Sequence, residues 1–137
     1  MLVNLSNHPF AQWGQAQRDA ALLTFGHVVD VAFPNVPPEA TASAVAALVS
    51  QTAAAVGEVF ADQAERLSAS PGEDTTHDGV HLMGETSFVV EFSLQWLTGE
   101  VKEPLYCSTT AREVEVLPDG AKRSRFRFVQ FRPMAGR

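Results

Sequence analysis

The chain has 137 residues, with 10 basic side chains against 16 acidic ones and a formal net charge of −6. Hydrophobic residues make up 45% and charged residues 19%, which excludes a disordered tail and predicts one globular domain over residues 1–137. A single cysteine, Cys107, excludes an intrachain disulfide and a cysteine-rich zinc site.

Residues 2–5 are apolar and predict a first strand, closed by the polar run Ser6-Asn7-His8-Pro9. Residues 10–25 carry Trp13, Ala16, Ala20 and Leu23 at helical spacing, and Gly26 follows as a stop signal. Residues 27–33 are β-branched and predict a buried second strand. Pro34, Pro37 and Pro38 then interrupt regular structure. Thr41 caps a long alanine-rich helix running to about residue 67, with Gly57 a potential break. Residues 68–79 read as a surface loop, residues 80–83 as a third strand, and residues 88–98 as a third helix apolar on most faces and therefore buried. A fourth strand, about 104–107, leads into Ser108-Thr109-Thr110-Ala111-Arg112. Segments 112–117 and 123–131 flank Pro118-Asp119-Gly120, a hairpin turn signal. This order predicts an α/β fold: a Rossmann-like, mostly parallel sheet with flanking helices and a C-terminal antiparallel β-hairpin.

The opening residues lack a basic n-region followed by an apolar stretch, and no apolar run was expected to span a bilayer. The expected location is cytoplasmic, with no membrane partner. The charge is unevenly spread. Residues 112–137 are +4 and the first 111 residues are −10. The acidic bulk argues against duplex nucleic acid. The basic end is either a set of solvated arginines on a hairpin or a grip for a small anion.

In parallel α/β sheets, ligands bind outside the carboxyl ends of the strands. The polar runs after the four parallel strands should therefore gather on one rim. They contribute Ser6, Asn7 and His8; Asn35; Gly84, Glu85 and Thr86; and Ser108, Thr109, Thr110 and Arg112. Gln130 and Arg132 should reach the same rim if the hairpin lies beside it. Ser6 and Asn7 serve either as helix caps or as ligand donors. His8 is the histidine best placed for general acid–base work. Gly84 precedes a helix start, where free amides favour an anion, and Glu85 either complements that dipole or binds a ribose hydroxyl or adenine amine. Three hydroxyls and a guanidinium within five residues suit phosphate oxygens. There is no GxGxxG or GxxxxGK[ST] run, the histidine spacing does not suggest a metal site, and no cofactor is expected.

The layout, the polar run after strand one, and Ser108-Thr109-Thr110-Ala111-Arg112 resemble CRISPR-associated Rossmann-fold (CARF) domains and the small stand-alone ring nucleases of type III CRISPR systems. Those families bind cyclic oligoadenylates, usually across a two-fold dimer interface, and some cleave them without metal. The resemblance implies a homodimer whose ligand is a cyclic oligoadenylate, with a ribose 2′-hydroxyl attacking the adjacent phosphate. It implies catalytic roles for His8, Thr110 and Arg112, phosphate contacts from Thr109, and Asn7 with Glu85 orienting ribose or base. A binding module without turnover, or a domain for another nucleotide or protein partner, are the competing expectations.

Overall fold

A computed structural model describes residues 1–70, 72, 77–100 and 103–134. The chain runs β1 (Leu2–Ser6), a 3-10 turn (Phe10–Gln12), α1 (Gln15–Phe25), β2 (Val28–Asp30), α2 (Ala42–Ala69), β3 (Gly79–Met83), α3 (Thr86–Thr98), β4 (Leu105–Val116) and β5 (Lys122–Pro133). The sheet order is β2-β1-β3-β4-β5. The first four strands are parallel, and β5 is antiparallel to β4. The fold is thus α/β: a Rossmann-like, mostly parallel sheet with flanking helices and a C-terminal antiparallel hairpin.

Strand alternation distributes the core to two faces. Val3 and Leu5 of β1 join Val80, Leu82 and Leu105 in a cluster with Val45, Val49, Val56 and Phe60 of α2 and Phe88, Phe92 and Trp96 of α3. Leu2 points the other way, into a smaller cluster with Trp13, Ala21 and Phe25 against Tyr106 and Phe131. Helix α2 therefore needs only one apolar stripe. Its Thr41 hydroxyl caps it by accepting from the Ala44 amide at 3.2 Å. Gly57 sits inside it without breaking it.

Several expectations need correction. The segment expected to be one helix from residue 10 is a 3-10 turn followed by α1, because Gly14 supplies the extended N-cap backbone between them. The second strand spans only Val28–Asp30 and is partly exposed, since it forms the sheet edge. Helix α3 is not buried all round: Val90, Leu94 and Leu97 are exposed. An 18-residue stretch within α2 has a mean hydropathy of 1.5, long and apolar enough by composition to cross a membrane, contrary to the reading of the sequence. Alanines raise that figure, while the larger apolar side chains pack on the sheet. Of the expected 68–79 loop, residues 68 and 69 belong to α2, and residues 71 and 73–76 lie outside the described residues.

The run at 108–112 is not a loop. β4 continues through it because β5 pairs with it residue by residue, from Tyr106↔Pro133 to Val116↔Lys122. β3 pairs with β4 only at Val80↔Leu105 and His81↔Tyr106 and stops at Met83. Beyond the level of Met83 the β4–β5 ladder continues alone as a two-stranded arm. Register slips between Thr109↔Gln130 and Thr110↔Phe128, leaving Val129 as the extra residue. The bulge turns Phe128 to the same side as Phe131, with ring centroids 5.1 Å apart.

Candidate functional site

The order β2-β1-β3 reverses the chain direction of travel between β1 and β3, the switch point where open α/β sheets leave a crevice at the carboxyl ends of their strands. A cavity of about 520 Å³ opens there. That volume falls within the roughly 300–1,000 Å³ of small-molecule sites. Ser6, Asn7 and His8 come from the end of β1, and Met83 and Gly84 from the end of β3. Ser108 and Thr110 come from β4, while Gln12, Trp13, Gly14 and Gln17 form the wall before and within α1. His81 lies at its floor.

The floor is a chain of hydrogen bonds across four strands. Asn4 Nδ2 donates to Asp30 Oδ1 at 2.7 Å and to the His8 carbonyl at 2.9 Å. Both partners are acceptors, so the amide orientation is fixed and Asn4 Oδ1 must accept. It faces Ser6 Oγ at 2.8 Å and His81 Nδ1 at 2.9 Å. Nδ1 of His81 therefore carries the proton. Burial pushes the His81 pKa down to about 4, so the ring is neutral at pH 7 and Nε2 holds a lone pair. Ser108 Oγ, 3.1 Å from Nε2, is then the donor in that contact. With its proton committed to His81, Ser108 presents only lone pairs to the cavity. Trp13 covers the network: its indole N–H donates to the His8 carbonyl at 3.0 Å, and its ring meets His81 edge-on at 5.1 Å. The His8 carbonyl thus accepts from two side chains, Asn4 and Trp13, while its imidazole stays exposed at the mouth.

Six of the residues singled out from sequence line this cavity: Ser6, Asn7, His8, Gly84, Ser108 and Thr110. The others do not. Thr109 lies on the opposite face of β4, where its hydroxyl donates to the Gln130 carbonyl at 3.4 Å. Gln130 and Arg132 share that far face, because directly paired residues point to the same side and they pair with Thr109 and Cys107. Arg112 stands out on the arm, its guanidinium donating to Ser124 Oγ from Nε at 3.2 Å and from Nη2 at 3.0 Å. Glu85 is a helix cap: its carboxylate accepts from the Ser87 hydroxyl at 2.6 Å, the Phe88 amide at 2.9 Å and the Ser87 amide at 3.1 Å. Those bonds hold its pKa below the ordinary carboxylate value, the Ser87 hydroxyl contributing most. They also fill the α3 N-terminus, so the expected anion site beside Gly84 is occupied by the protein's own carboxylate. Thr86 lines a groove between α2 and α3, and Asn35 a shallow recess against Leu48 and Gln51.

Asn4, Trp13 and His81 were not singled out as functional. The available signal was alternation: a polar residue between Val3 and Leu5, and another between Val80 and Leu82, must face away from the main core.

The fold and the cavity define a small Rossmann-like protein with a polar site at its topological switch point. The chain belongs to the uncharacterized protein MJ1673 family, which it matches over residues 1–132. No curated protein matches it, and neither does any solved structure.

Proposed function

We propose that the rim cavity binds a cyclic oligoadenylate shared between two chains and opens the ring by attack of a ribose 2′-hydroxyl on the adjacent phosphate. The observation that carries this reading is the convergence of Ser6, Asn7, His8, Gly84, Ser108 and Thr110, from the ends of β1 and β3 and from within β4, on one cavity at the switch point. The resemblance to CARF domains and ring nucleases supplies the ligand class, and with it a cytoplasmic setting.

Ser108 accepts a hydrogen bond from a ribose hydroxyl or adenine amine, because its own proton is committed to His81. Thr110 and Asn7 donate to phosphate oxygens. His8, anchored through its backbone at the mouth, takes the 2′ proton on a ring nitrogen and returns it to the departing 5′ oxygen. The 2′ oxygen–phosphorus bond forms as the phosphorus–5′ oxygen bond breaks, leaving a 2′,3′-cyclic phosphate and a 5′-hydroxyl. The remaining rate gain comes from holding the in-line geometry. The reaction as written uses no metal or cofactor.

A second reading is binding without turnover. It is favoured by one observation: among the described residues no Lys or Arg lines the cavity, and Arg112, expected to grip the phosphate, stands on the arm. Incubation with cyclic tri-, tetra- and hexa-adenylate in EDTA, with products resolved by mass, separates the two. Ring opening supports the first reading, and a bound but intact ring replaces it with the second. If no ring binds, both fail. In the cleaving case His8→Ala lowers kcat by about 10²-fold or more while KM changes little.

A further inference from the structure

The β4–β5 arm has one charged face and one apolar face. Strict alternation places Arg123, Arg125 and Arg127 on one side, opposite Glu115, Glu113 and Ala111, with Arg127 Nε 2.9 Å from Glu113 Oε1. Val114, Val116 and Phe126 lie on the other side and are 54%, 66% and 68% exposed. Arg112, Ser124 and Lys122 lie on that same side, the first donating to the second. Such alternation belongs to a sheet with one buried face. A two-stranded ribbon is marginal by itself, and none of the described residues covers this face.

A second unpartnered apolar stripe lies on α3. Val90, Leu94 and Leu97 recur at helical spacing and are 54%, 59% and 39% exposed. Residues 85–100 contain Glu85, Glu91 and Glu100 and no basic residue. The two stripes are therefore complementary in charge as well as apolar. The imbalance is general: residues 105–133 hold six basic side chains against three acidic, while residues 1–104 hold three against thirteen. Two arms repel each other, and each is attracted to the body of another copy.

We infer that the apolar face of the arm docks on the α3 stripe of a second copy of this chain, reciprocally, to form a closed dimer. About eight residues of overhang at 3.3 Å each give an arm roughly 26 Å long, somewhat longer than 13-residue α3 at about 20 Å. Each contact then buries roughly 500 Å² over both partners, and the two-fold pair roughly 1,000 Å², the lower bound for a specific interface. This deepens the two-chain reading above by naming its surface. Its test uses no ligand, so the two stand or fall separately.

The test is sedimentation velocity on the full chain, whose mass is 14.8 kDa. The expected particle at tens of micromolar has twice that mass. Phe126→Ser on the arm and Leu94→Ser on the helix each raise the dimer Kd at least tenfold, with far-ultraviolet dichroism unchanged because both side chains are exposed. Arg112→Glu, a third variant on the arm, weakens the dimer without removing apolar area. A monomer at these concentrations overturns the proposal. So does a dimer that survives either serine substitution, since an arm-to-arm contact would ignore Leu94 and a helix-to-helix contact would ignore Phe126.

Discussion

At the scale of single residues, the centre of the site is a histidine that cannot easily take a proton. His81 is 2% exposed and is bracketed by an amide and a hydroxyl, with no carboxylate among the described residues bonded to it to stabilise an imidazolium. In the unfolded chain it titrates near 6.5, and in the fold near 4. Below pH 6.5 the unfolded state thus binds more protons, and stability falls as pH drops. This contribution is complete above about 6.5, is lost progressively down to about 4, and amounts to roughly 3 kcal/mol. Urea unfolding of wild type and His81→Gln at pH 7 and pH 4.5 checks it. The wild type loses more stability between the two pH values than the variant, by roughly 2–3 kcal/mol; equal losses would remove the buried neutral imidazole. Ser108→Ala leaves Nε2 without its donor and costs about 1–3 kcal/mol, measured by the same unfolding. It also weakens ligand binding, because the fixed acceptor is gone. Ser6 and Ser108 were legible as site residues, but Asn4 and His81, which join them, were not. Asn4 and His81 are register partners on neighbouring parallel strands, and a register between residues 77 positions apart has no local signature.

At the scale of elements, caps and strand lengths decide which polar residues are free to act. Glu85 is engaged by α3, so Glu85→Ala should lower the melting temperature and leave cyclic nucleotide affinity unchanged. A loss of affinity at constant stability would return Glu85 to the ligand. Because its bonds favour the charged carboxylate, the capping contribution is present above the ordinary carboxylate pKa and fades as pH falls through the lowered one. Thr41→Ala, which removes the α2 cap, should cost about 1 kcal/mol. The helices were legible because their periods and caps are local: Thr41, Gly26 and Gly99 mark their ends as the sequence suggests. β4 was not. Its twelve residues are held by pairing with β5, and Ser-Thr-Thr-Ala-Arg read alone looks like a loop. That difference separates Ser108 and Thr110 from Thr109 and carries Arg112 away from the cavity. Loop chemistry would have brought all four to one place; in the strand, alternation turns Thr109 to the other face, and Arg112, though on the face of Ser108 and Thr110, stands further along the arm.

At the scale of the whole molecule, the net charge of −6 is a composite. The basic residues of the arm are not among those lining the cavity. The arm's charged face holds the ion pair Arg127–Glu113, and its other face exposes Val114, Val116 and Phe126. The sequence carried the asymmetry but not its location, because position along the chain does not say which residues share a face. The central claim is that the switch-point cavity holds a cyclic oligoadenylate. The most direct measurement is isothermal titration of the full chain with cyclic tri-, tetra- and hexa-adenylate in EDTA at 4 °C, beside Ser108→Val and Thr110→Val. The account predicts saturable binding of one ring per two chains and at least a tenfold weaker Kd in both variants. Absence of binding by every ring, or binding that both variants leave untouched, would contradict it.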